Sequence, residues 1–374
     1  MDFFASLNFT QILLSTYFSN LGEDANSNFV LSPVSAFITM CMVSHGAHGA
    51  TRVEIHKGLQ FTETSNYCQE AENLLKLYKN ESNSDFTLNI TNGVFVNEKL
   101  EVLQPFQNIL TENYEAGFEA VKFGTHEGEK IVNDWISEQT NGKITDVLKN
   151  SEPEDLMALI NTIYMRGFWF NPFVKTYRIN GTFYSPQGEK QIKYMTTTDF
   201  FKVSKSKLDC GSKFTTFFMP YRQNKTELDW GMFIIHPQDK KNPVEFKEVI
   251  SEKLFDIHEK SYQRYVNFRL PESRVESEVD LIPLLEKMGI KLAFSDAADF
   301  SDISDVPSKI SQVIQKTFVT VDEDGTEAAA ATLAKVAPRM MPPKYMVDSP
   351  YLFAIANPKL RVILFAGIVA DPMV

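Results

Sequence analysis

The sequence predicts an α+β fold, with helices in the first third of the chain and mostly strands after it. Near the N-terminus, apolar residues recur at helical spacing. From Phe86 onward, apolar and polar residues alternate, as they do in a strand with one buried face. No internal repeat, low-complexity linker or abrupt change of composition separates the two parts. We therefore expect residues 1–374 to form a single domain with an extensive antiparallel sheet.

Four segments in the first part of the chain predict helices. Residues 1–20 and 66–79 place their apolar side chains on one face of a helix. Between them, Ser32 is suited to cap a helix and is followed by a proline that suits the first helical position. A fourth helix over 127–141 is followed by Gly142, because glycine readily adopts the left-handed conformation that ends helices.

Strands are predicted over most of the remaining chain. Residues 156–168 are nearly all apolar, which is typical of a strand buried on both faces. Two short helices are predicted near 243–257 and 278–288. The other predicted strands are 86–96, 178–185, 190–203, 214–220, 230–236, 262–270, 309–321, 351–357 and 361–369.

The composition excludes several classes of protein. With 37 Lys and Arg against 48 Asp and Glu, the net charge is −11, which disfavours binding to nucleic acid or to an anionic membrane surface. No apolar run approaches the roughly 18 residues that suggest a membrane-spanning helix. The three cysteines are too few and too widely spaced for a disulfide framework. Free, mostly buried thiols are favoured over a single disulfide.

The N-terminus and the glycosylation sequons bear on the compartment. Asp2 and the helical pattern of residues 1–20 do not fit a secretory signal, so the chain is cytoplasmic, exported by another route, or numbered after a signal was removed. The Asn-x-Ser/Thr sequons exceed the roughly three expected by chance, which favours a secreted, extracellular glycoprotein. They begin at Asn8, Asn80, Asn89, Asn180 and Asn224.

The sequence offers no motif for catalysis, for a cofactor or for a metal. It contains no G-x-S-x-G elbow, Walker loop, G-x-G-x-x-G or H-E-x-x-H motif. His45 and His48 stand three residues apart, but no third ligand lies at helical reach. The run from Asp322 to Gly325 lacks the ligand spacing and the closing glutamate of a calcium loop. We therefore expect a protein that is not an enzyme and needs no cofactor.

The segment 322–343 has an alternating pattern that bears directly on function. Its run of alanines suits a helix, but the segment has little apolar content and ends in prolines. As an extended strand it would have one small, uncharged face and one face with both charges. Such a strand can join a sheet without burying a charge or a bulky group. The uncharged face carries Thr326, Ala328, Ala330, Thr332, Ala334 and Val336, and the other carries Glu327, Ala329, Ala331, Leu333, Lys335 and Ala337.

This segment and several other motifs resemble those of the serpins, and the resemblance covers essentially the whole chain. The run from Glu323 to Glu327, followed by the alanines, looks like the family's reactive-loop hinge. The run 161–169 with Phe173 is similar to its third central-sheet strand and the tryptophan beside the point of loop insertion. The remaining matching motifs are 29–35, 298–301, 350–353 and 363–367.

The resemblance implies a serpin fold with a central five-stranded sheet, two smaller sheets, about nine helices and an exposed reactive-centre loop at about 323–343. It also implies a monomeric protein that a target protease attacks as a substrate. In inhibitory members, the cleaved loop inserts into the central sheet as an extra strand and the protease stays trapped as an acyl-enzyme.

The same resemblance assigns residues to the hinge and to the region where the sheet opens. In that region Gln315 replaces a histidine that many members carry, and its amide can still hydrogen-bond to its neighbours. The hinge residues are Glu323, Gly325, Thr326, Glu327, Ala328, Ala329, Ala330, Ala331 and Thr332. The sheet-opening residues are Ser32, Ser35, Asn161, Trp169 and Gln315.

The family's spacing puts the scissile bond sixteen residues after Glu323, between Arg339 and Met340. An arginine there can pair with the carboxylate at the base of a trypsin-like specificity pocket, so a trypsin-like serine protease is the expected partner. Attack at Met340–Met341 stays open and would suit chymotrypsin- or elastase-like proteases.

A non-inhibitory carrier or chaperone with the same fold is the other alternative, although the small, uncharged face of the hinge argues against it. A heparin-type polyanion is not an expected partner. The reason is that Lys76 and Lys79 in the predicted helix 66–79 are offset by Glu70 and Glu72.

The two faces of the hinge lead to a prediction. Thr326→Arg places a charge on the inserting face, so we expect a protease to cleave this variant without being trapped. Glu327→Arg changes the opposite face and should largely keep inhibition. Counting moles of protein consumed per mole of trypsin inhibited measures the difference, and equal effects at the two positions would refute the assignment of faces.

Overall fold

Two hydrogen-bonded sheets and eight α-helices make up the described part of the computed structural model, namely residues 3–21, 26–61, 68–81, 85–140, 142–222, 230–240, 242–324 and 341–372. The α+β class predicted from the sequence is confirmed. The number of α-helices in this part of the chain is close to the nine that the family resemblance implies.

The helices lie mainly in the first part of the chain, as predicted. Ser32 caps α2, because its hydroxyl oxygen accepts a hydrogen bond from the Ser35 amide (3.3 Å) and Pro33 occupies the first turn. The helices are α1 (Phe4–Asn20), α2 (Pro33–Ser44), α3 (Gly49–Gly58), α4 (Gln69–Glu81), α5 (Gln104–Tyr114), α6 (His126–Gln139), α7 (Leu254–Glu259) and α8 (Ile282–Lys287).

Most of the predicted strands are present with boundaries near those expected. The strands are β1 (Phe29–Leu31), β2 (Phe86–Asn97), β3 (Gly117–Val121), β4 (Met157–Gly167), β5 (Ile179–Ser185), β6 (Gly188–Lys207), β7 (Lys213–Pro220), β8 (Gly231–Pro237), β9 (Tyr262–Pro271), β10 (Ser273–Asp280), β11 (Gln312–Val321), β12 (Lys344–Met346), β13 (Tyr351–Asn357) and β14 (Val362–Val369).

The central sheet has five strands in the order β10-β11-β4-β2-β3. It is a mixed sheet: β10–β11 and β4–β2 are antiparallel, whereas β11–β4 and β2–β3 are parallel. The parallel register of β11 with β4 places Gln315 opposite Asn161. The five-stranded central sheet implied by the family resemblance is therefore present.

The remaining strands form one nine-stranded network in the order β1-β14-β13-β8-β7-β6-β9-β12, with β5 also paired to β6. The two smaller sheets that the resemblance implies are joined here through the 20-residue strand β6. The first part of β6 pairs with β5, its middle with β9 and its end with β7. A single long strand thus makes the two sheets continuous.

The two faces of the central sheet pack against different cores. One face lies over α2 and the nine-stranded network, and it carries the alternate residues Leu159, Ile163 and Met165 of β4. The other face packs Ala158 and Ile160 of the same strand against α6. This alternation explains why β4 is almost entirely apolar in sequence.

The sequence analysis missed several short elements and one boundary. The segments α3, α5, β1, β3, β10 and β12 were not predicted, and residues 278–280 end strand β10 although a helix was expected there. The helix near 278–288 begins only at Ile282. β10 alternates Arg274, Glu276 and Glu278 with inward residues that include two serines, so its apolar signal was weak.

Gly367 has a steric role that the sequence did not disclose. It lies in β14, opposite Val30 of β1 and Phe353 of β13. A Cβ atom added at Gly367 would lie 2.2 Å from the Phe29 carbonyl oxygen and 2.7 Å from the Phe353 ring. Glycine is therefore required here for the close approach of β1.

The cysteine and membrane expectations can also be compared with the structure. All three cysteines are free thiols, with Cys41 and Cys68 buried and Cys210 exposed, as the sequence favoured. Within the described ranges, no helix is both long enough and apolar enough to cross a membrane.

Candidate functional site

The candidate site is the junction between β11 and the segment predicted to be the reactive-centre loop. β11 ends at Val321 in the central sheet, and β12 begins at Lys344 in the other network. The predicted hinge residues Gly325, Thr326, Glu327, Ala328, Ala329, Ala330, Ala331 and Thr332 and the predicted reactive-site residues Arg339 and Met340 lie outside the described residues. The structure describes the chain up to Asp324 and again from Met341.

Three hydrogen bonds hold the chain where it leaves β11. The Trp169 amide donates to the Asp324 carbonyl (2.8 Å), and the indole Nε1 of Trp169 donates to the Asp322 carbonyl (3.0 Å). The Phe173 amide donates to the Glu323 carbonyl (2.9 Å). We call the two segments joined by these bonds, residues 169–178 and 322–324, the hinge clamp.

Two ion pairs reinforce the hinge clamp. The Nε atom of Arg178 lies 2.5 Å from Oε1 of Glu323, and its Nη1 donates to Oε2 of Glu272 at 2.9 Å. The second ion pair involves Asp324, the residue after Glu323, which is only 6% exposed. Its Oδ2 lies 2.5 Å from the Nζ atom of Lys175. The hydrogen bond to Asp324 raises the pKa of Lys175. Glu323 and Asp324 are therefore both paired with basic residues of one short segment.

Trp169 is packed so that its only polar side-chain atom points at the hinge clamp. The residue is 1% exposed, and its ring stacks on Tyr221 with centroids 4.7 Å apart and planes 11° from parallel. A β-bridge between Trp169 and Tyr221 aligns the two residues. The indole is thereby fixed against rotation, which keeps Nε1 directed at the Asp322 carbonyl.

A row of three polar side chains crosses the middle of the central sheet. Gln315 of β11 lies opposite Asn161 of β4, which in turn lies opposite Asn92 of β2. The Gln315 Nε2 donates to Oδ1 of Asn161 (3.3 Å), and the Asn161 Nδ2 donates to Oδ1 of Asn92 (2.6 Å). We call Gln315, Asn161 and Asn92 the polar row. All three are at most 2% exposed, so their bonds form without competition from solvent.

The polar row is bonded to the N-terminus of α2. The Gln315 Oε1 accepts from the Ser32 amide (2.7 Å), while its Nε2 donates to the Ser32 carbonyl (2.9 Å). The Ser35 hydroxyl donates to Oδ1 of Asn161. Four of the five predicted sheet-opening residues therefore lie in one buried cluster, and Trp169 lies apart from it in the hinge clamp.

The same part of the sheet contains polar atoms without partners. Within the described residues, Thr162 Oγ1, Thr317 Oγ1 and Asn92 Nδ2 are buried and make no hydrogen bond. A buried polar group left without a partner costs about 1–3 kcal/mol. These groups without hydrogen-bond partners therefore reduce the stability of the centre of the sheet, close to where β11 meets β4.

The topology determines how a further strand could join here. A chain that reverses direction after β11 runs antiparallel to β11. Because β4 is parallel to β11, the reversed chain would also be antiparallel to β4. Adding it between them would replace one parallel pairing by two antiparallel ones and would separate Gln315 from Asn161.

Several residues of this site were not found from the sequence. Asn92 occupies an inward position among the apolar residues of β2, and this interruption of the alternation was a usable signal. Thr39, which donates to Oδ1 of Asn92 (3.1 Å), lies one helical turn after Ser35. Lys175 and Arg178 gave no signal, because nothing local relates them to residues 322–324.

A buried histidine holds the strand that follows the loop. The Nδ1 atom of His236 lies 3.1 Å from the Tyr345 hydroxyl of β12, and its Nε2 lies 2.9 Å from the Ser349 hydroxyl. Burial lowers the pKa of His236 to about 4. The imidazole is therefore neutral at physiological pH and can both donate to one hydroxyl and accept from the other.

Three of the five sequon asparagines lie on the surface of the described structure. Asn8, Asn89 and Asn180 are exposed. The amide of Asn89 nevertheless donates to the Gln139 carbonyl (3.0 Å). The side chain of Asn80 and the whole of Asn224 lie outside the described residues.

The lysines of α4 are near carboxylates. Lys76 lies 3.9 Å from Glu72 within the helix, and Lys79 lies 2.7 Å from Glu115, the residue that follows α5. Glu70 is directed away from them and accepts hydrogen bonds from the N-terminal amides of α1. The surface of α4 therefore presents mixed charge.

Comparison with known proteins defines the class of the molecule. Residues 8–372 match the family described as serpin (serine protease inhibitor), and the chain belongs to that family. Alpha-1-antiproteinase of Rattus norvegicus is 30% identical over 98% of this chain and 89% of its own length.

Solved structures with the same fold include another serpin and a thyroxine-binding protein. Serpin48 of the insect Tenebrio molitor, a highly specific serpin, is 28% identical with a TM-score of 0.84 and 98% coverage of both chains. Human thyroxine-binding globulin is 24% identical with a TM-score of 0.87 and 99% coverage of both chains, a likeness that concerns the fold alone. The serpin fold predicted from the motifs is thus confirmed.

The contrast between Asn161 and its neighbour Thr162 leads to a prediction. Asn161→Ala removes three hydrogen bonds and leaves Ser35, Gln315 and Asn92 short of a partner, so the free energy of unfolding should fall by about 3 kcal/mol. Thr162→Val removes a buried hydroxyl that has no partner among the described residues, so stability should rise by about 1 kcal/mol. Urea unfolding of the uncleaved protein measures both, and shifts of the same sign would contradict this account.

His236 leads to a prediction about pH. Its pKa is about 4 in the folded protein, below the ordinary value of about 6.5. The unfolded chain therefore binds the proton more readily, and stability is lost as the pH falls from about 6.5 towards 4, by up to about 3 kcal/mol.

His236→Gln should weaken this dependence of the urea midpoint between pH 7.5 and 4.5. Burial also lowers the pKa of His56 to about 4, so some pH dependence should remain. Replacement of the exposed His126 by glutamine is the control. An unchanged slope in His236→Gln would show that His236 does not carry the effect.

Proposed function

We propose that the protein is a suicide-substrate inhibitor of trypsin-like serine proteases, cleaved between Arg339 and Met340 in a reactive-centre loop at about 323–343. The observation that carries the proposal is the parallel pairing of β11 with β4 directly before this loop. Between these two strands, the chain that follows β11 can add as a strand antiparallel to both of its neighbours.

The proposed reaction begins as an ordinary proteolytic step. The serine hydroxyl of the protease attacks the Arg339 carbonyl, the bond to Met340 breaks, and the released amine of Met340 takes a proton. Arg339 is then held to the protease by an ester. The segment between the hinge clamp and Arg339 now has one free end and can fold back beside β11.

Insertion would stop the reaction at the ester. The uncharged face from Thr326 to Val336 would turn towards the inner core of the sheet, where β4 and β11 carry Leu159, Ile163 and Val319. The new strand would gain a ladder of hydrogen bonds on each side. Transport of the attached protease along the sheet would distort its active site before water releases it.

The arginine at the reactive site is the basis for the proposed specificity. A guanidinium forms two parallel hydrogen bonds with a carboxylate, and this geometry matches the base of a trypsin-like pocket. The rat relative's name, alpha-1-antiproteinase, supports protease inhibition in general and does not bear on the residue preferred. Attack at Met340 by a chymotrypsin- or elastase-like protease is the second candidate.

The carrier alternative stays open, because the same fold also occurs in thyroxine-binding globulin and the fold alone does not separate the two functions. The hinge sequence favours inhibition, because none of its inward-facing residues is charged, bulky or proline. The mixed charge of α4 favours an inhibitor that works without a heparin-type polyanion. We also propose an extracellular location, with a cytoplasmic one as the alternative. N-linked glycan on Asn8, Asn89 or Asn180 of the native protein would support the first.

The test is denaturing electrophoresis after the protein is mixed with trypsin in slight molar deficit. A band that resists SDS at about the summed masses is expected, and mass spectrometry should find cleavage after Arg339. Arg339→Ala should lose the band with trypsin, whereas Lys335→Ala, a change outside the scissile bond, should keep it.

Two other outcomes would replace the proposal. Cleavage after Arg339 without the band, and without a rise in thermal stability of the cleaved protein, would indicate a substrate and favour the carrier. A covalent band that forms with chymotrypsin or elastase and cleavage after Met340 would move the specificity to the second candidate.

A further inference from the structure

Two buried cysteines lie side by side between α2 and α4. Cys41 belongs to the last turn of α2, and Cys68 is the residue directly before α4. The Sγ atom of Cys68 lies 3.4 Å from the Cys41 carbonyl oxygen, and the two thiols are in hydrogen-bonding contact. Both residues are 0% exposed. Residues that are 27 positions apart in the chain therefore meet in the core with their sulfur atoms together.

Polar side chains surround the Cys68 thiol although it lies in the core. The Ser44 hydroxyl oxygen lies 3.2 Å from its Sγ atom, and His45 and the Tyr114 hydroxyl also contact the thiol. The Nε2 atom of His45 lies 3.0 Å from the Tyr114 hydroxyl. A structural cysteine is usually buried among apolar groups, whereas a reactive one lies beside groups that stabilise a thiolate. The surroundings of Cys68 are of the second kind.

The same contacts distinguish the two thiols by their tendency to ionise. The hydrogen bond with Cys41 holds the pKa of Cys68 below its ordinary value, although burial opposes this shift, and the contact with His45 lowers the pKa further. Burial raises the pKa of Cys41. Burial also raises the pKa of Tyr114, so its hydroxyl stays protonated and can donate to a thiolate. Because the thiolate is the reactive form, Cys68 is the better nucleophile of the two.

The backbone of Cys68 is also unusual. Its φ is 65°, in the left-handed region that residues with a side chain seldom adopt. Its carbonyl accepts a hydrogen bond from the Glu72 amide (3.2 Å) in the first turn of α4. Backbone conformations of this kind cost free energy and are frequent at functional positions. An unfavourable conformation therefore occurs at the residue whose thiol is placed against Cys41.

We propose that Cys41 and Cys68 are a peroxide-sensitive pair, in which hydrogen peroxide oxidises Cys68 and Cys41 then forms a disulfide with it. The Cys68 thiolate attacks one oxygen of the peroxide, so an S–O bond forms, the O–O bond breaks, and hydroxide leaves and takes up a proton. The Cys41 sulfur then attacks the sulfur of the sulfenic acid. The S–S bond forms, the S–O bond breaks, and the hydroxyl leaves as water with the Cys41 proton. Two thiols lose two electrons, and one peroxide is reduced to two waters.

Burial of the pair selects the oxidant. Hydrogen peroxide is uncharged and little larger than water, so a small local opening of the structure admits it. A bulky disulfide reagent needs a much larger opening. Cys210 is exposed and has no such barrier. The native protein should therefore react with a bulky reagent at Cys210 alone, and with peroxide at Cys68 as well.

The disulfide would fasten α2 at the end opposite its bonds to the polar row. Ser32 and Ser35 make those bonds at the N-terminus of the helix, whereas Cys41 lies in its last turn. A bond to Cys68 closes a loop of the chain and lowers the conformational entropy of the unfolded state. The oxidised protein should therefore unfold at a higher temperature than the reduced one. This inference does not rest on the proposed function.

Peptide mapping without reduction tests the disulfide. The Cys210→Ser protein, which cannot link through its exposed thiol, is treated with a small molar excess of hydrogen peroxide and alkylated after denaturation. Two peptides joined through Cys41 and Cys68 are expected, and a thiol reductant should separate them. Two alkylated thiols, or sulfinic and sulfonic acids without a link, would overturn the proposal.

Single substitutions in the same background separate the roles of the side chains. In Cys41→Ser, a sulfenic acid should persist on Cys68 and be labelled by dimedone after denaturation, whereas in Cys68→Ser the Cys41 thiol should stay largely unreacted. The opposite pattern would contradict the order of the two steps. His45→Gln should slow disulfide formation several-fold, and His48→Gln, a change at an exposed histidine three residues further on, should not. Equal rates in these two variants would exclude a part for His45.

Thermal unfolding measures the consequence of the bond. The Tm of the Cys210→Ser protein should rise by a few degrees after peroxide treatment and return to its first value after reduction. The same treatment of the variant that also carries Cys68→Ser is the control and should leave its Tm unchanged. A fall in Tm when the disulfide forms would show that the native fold does not accommodate it, and would contradict the pairing inferred from the contacts.

Discussion

The parallel pairing of β11 with β4 is the constraint on which the rest of the molecule depends. The two neighbouring strands begin at the same end of the sheet and run in the same direction. This register places Gln315 opposite Asn161. Parallel pairing is slightly less stable per residue than antiparallel pairing. A reversed strand from the chain after β11 is the one addition that would turn this boundary into two antiparallel ladders. The hinge clamp stands at the end of the boundary where such a strand would begin.

The boundary is held by two different kinds of interaction. At its end, the hinge clamp uses hydrogen bonds to main-chain carbonyls and two ion pairs in which the basic side chains are partly exposed and the carboxylates are nearly buried. At its middle, the polar row is buried and bonded to α2, and unpaired hydroxyls of Thr162 and Thr317 lie beside it. A sheet that opens from its end would therefore have to break the hinge clamp first and the buried polar row after it.

The replacement of the family's frequent histidine by Gln315 fits this arrangement. Its amide offers both a donor and an acceptor at all pH values, and it uses them on the amide and carbonyl of Ser32. A histidine lies instead near the other end of the predicted loop, where burial keeps His236 neutral between Tyr345 and Ser349. Where the chain leaves β11, Arg178 and Lys175 pair with Glu323 and Asp324.

The sequence by itself determined the fold class, most strands and the cap of α2, because periodicity and turn residues are local properties. It also identified Ser32, Ser35, Asn161 and Gln315, through the resemblance, and the structure brings these four together. Only the tertiary structure decided that Asn92 and Thr39 complete the cluster and that Lys175 and Arg178 pair with Asp324 and Glu323. The reason is physical: those contacts join residues far apart in the chain, and their partners are set by strand register and by the packing of α2 on the sheet.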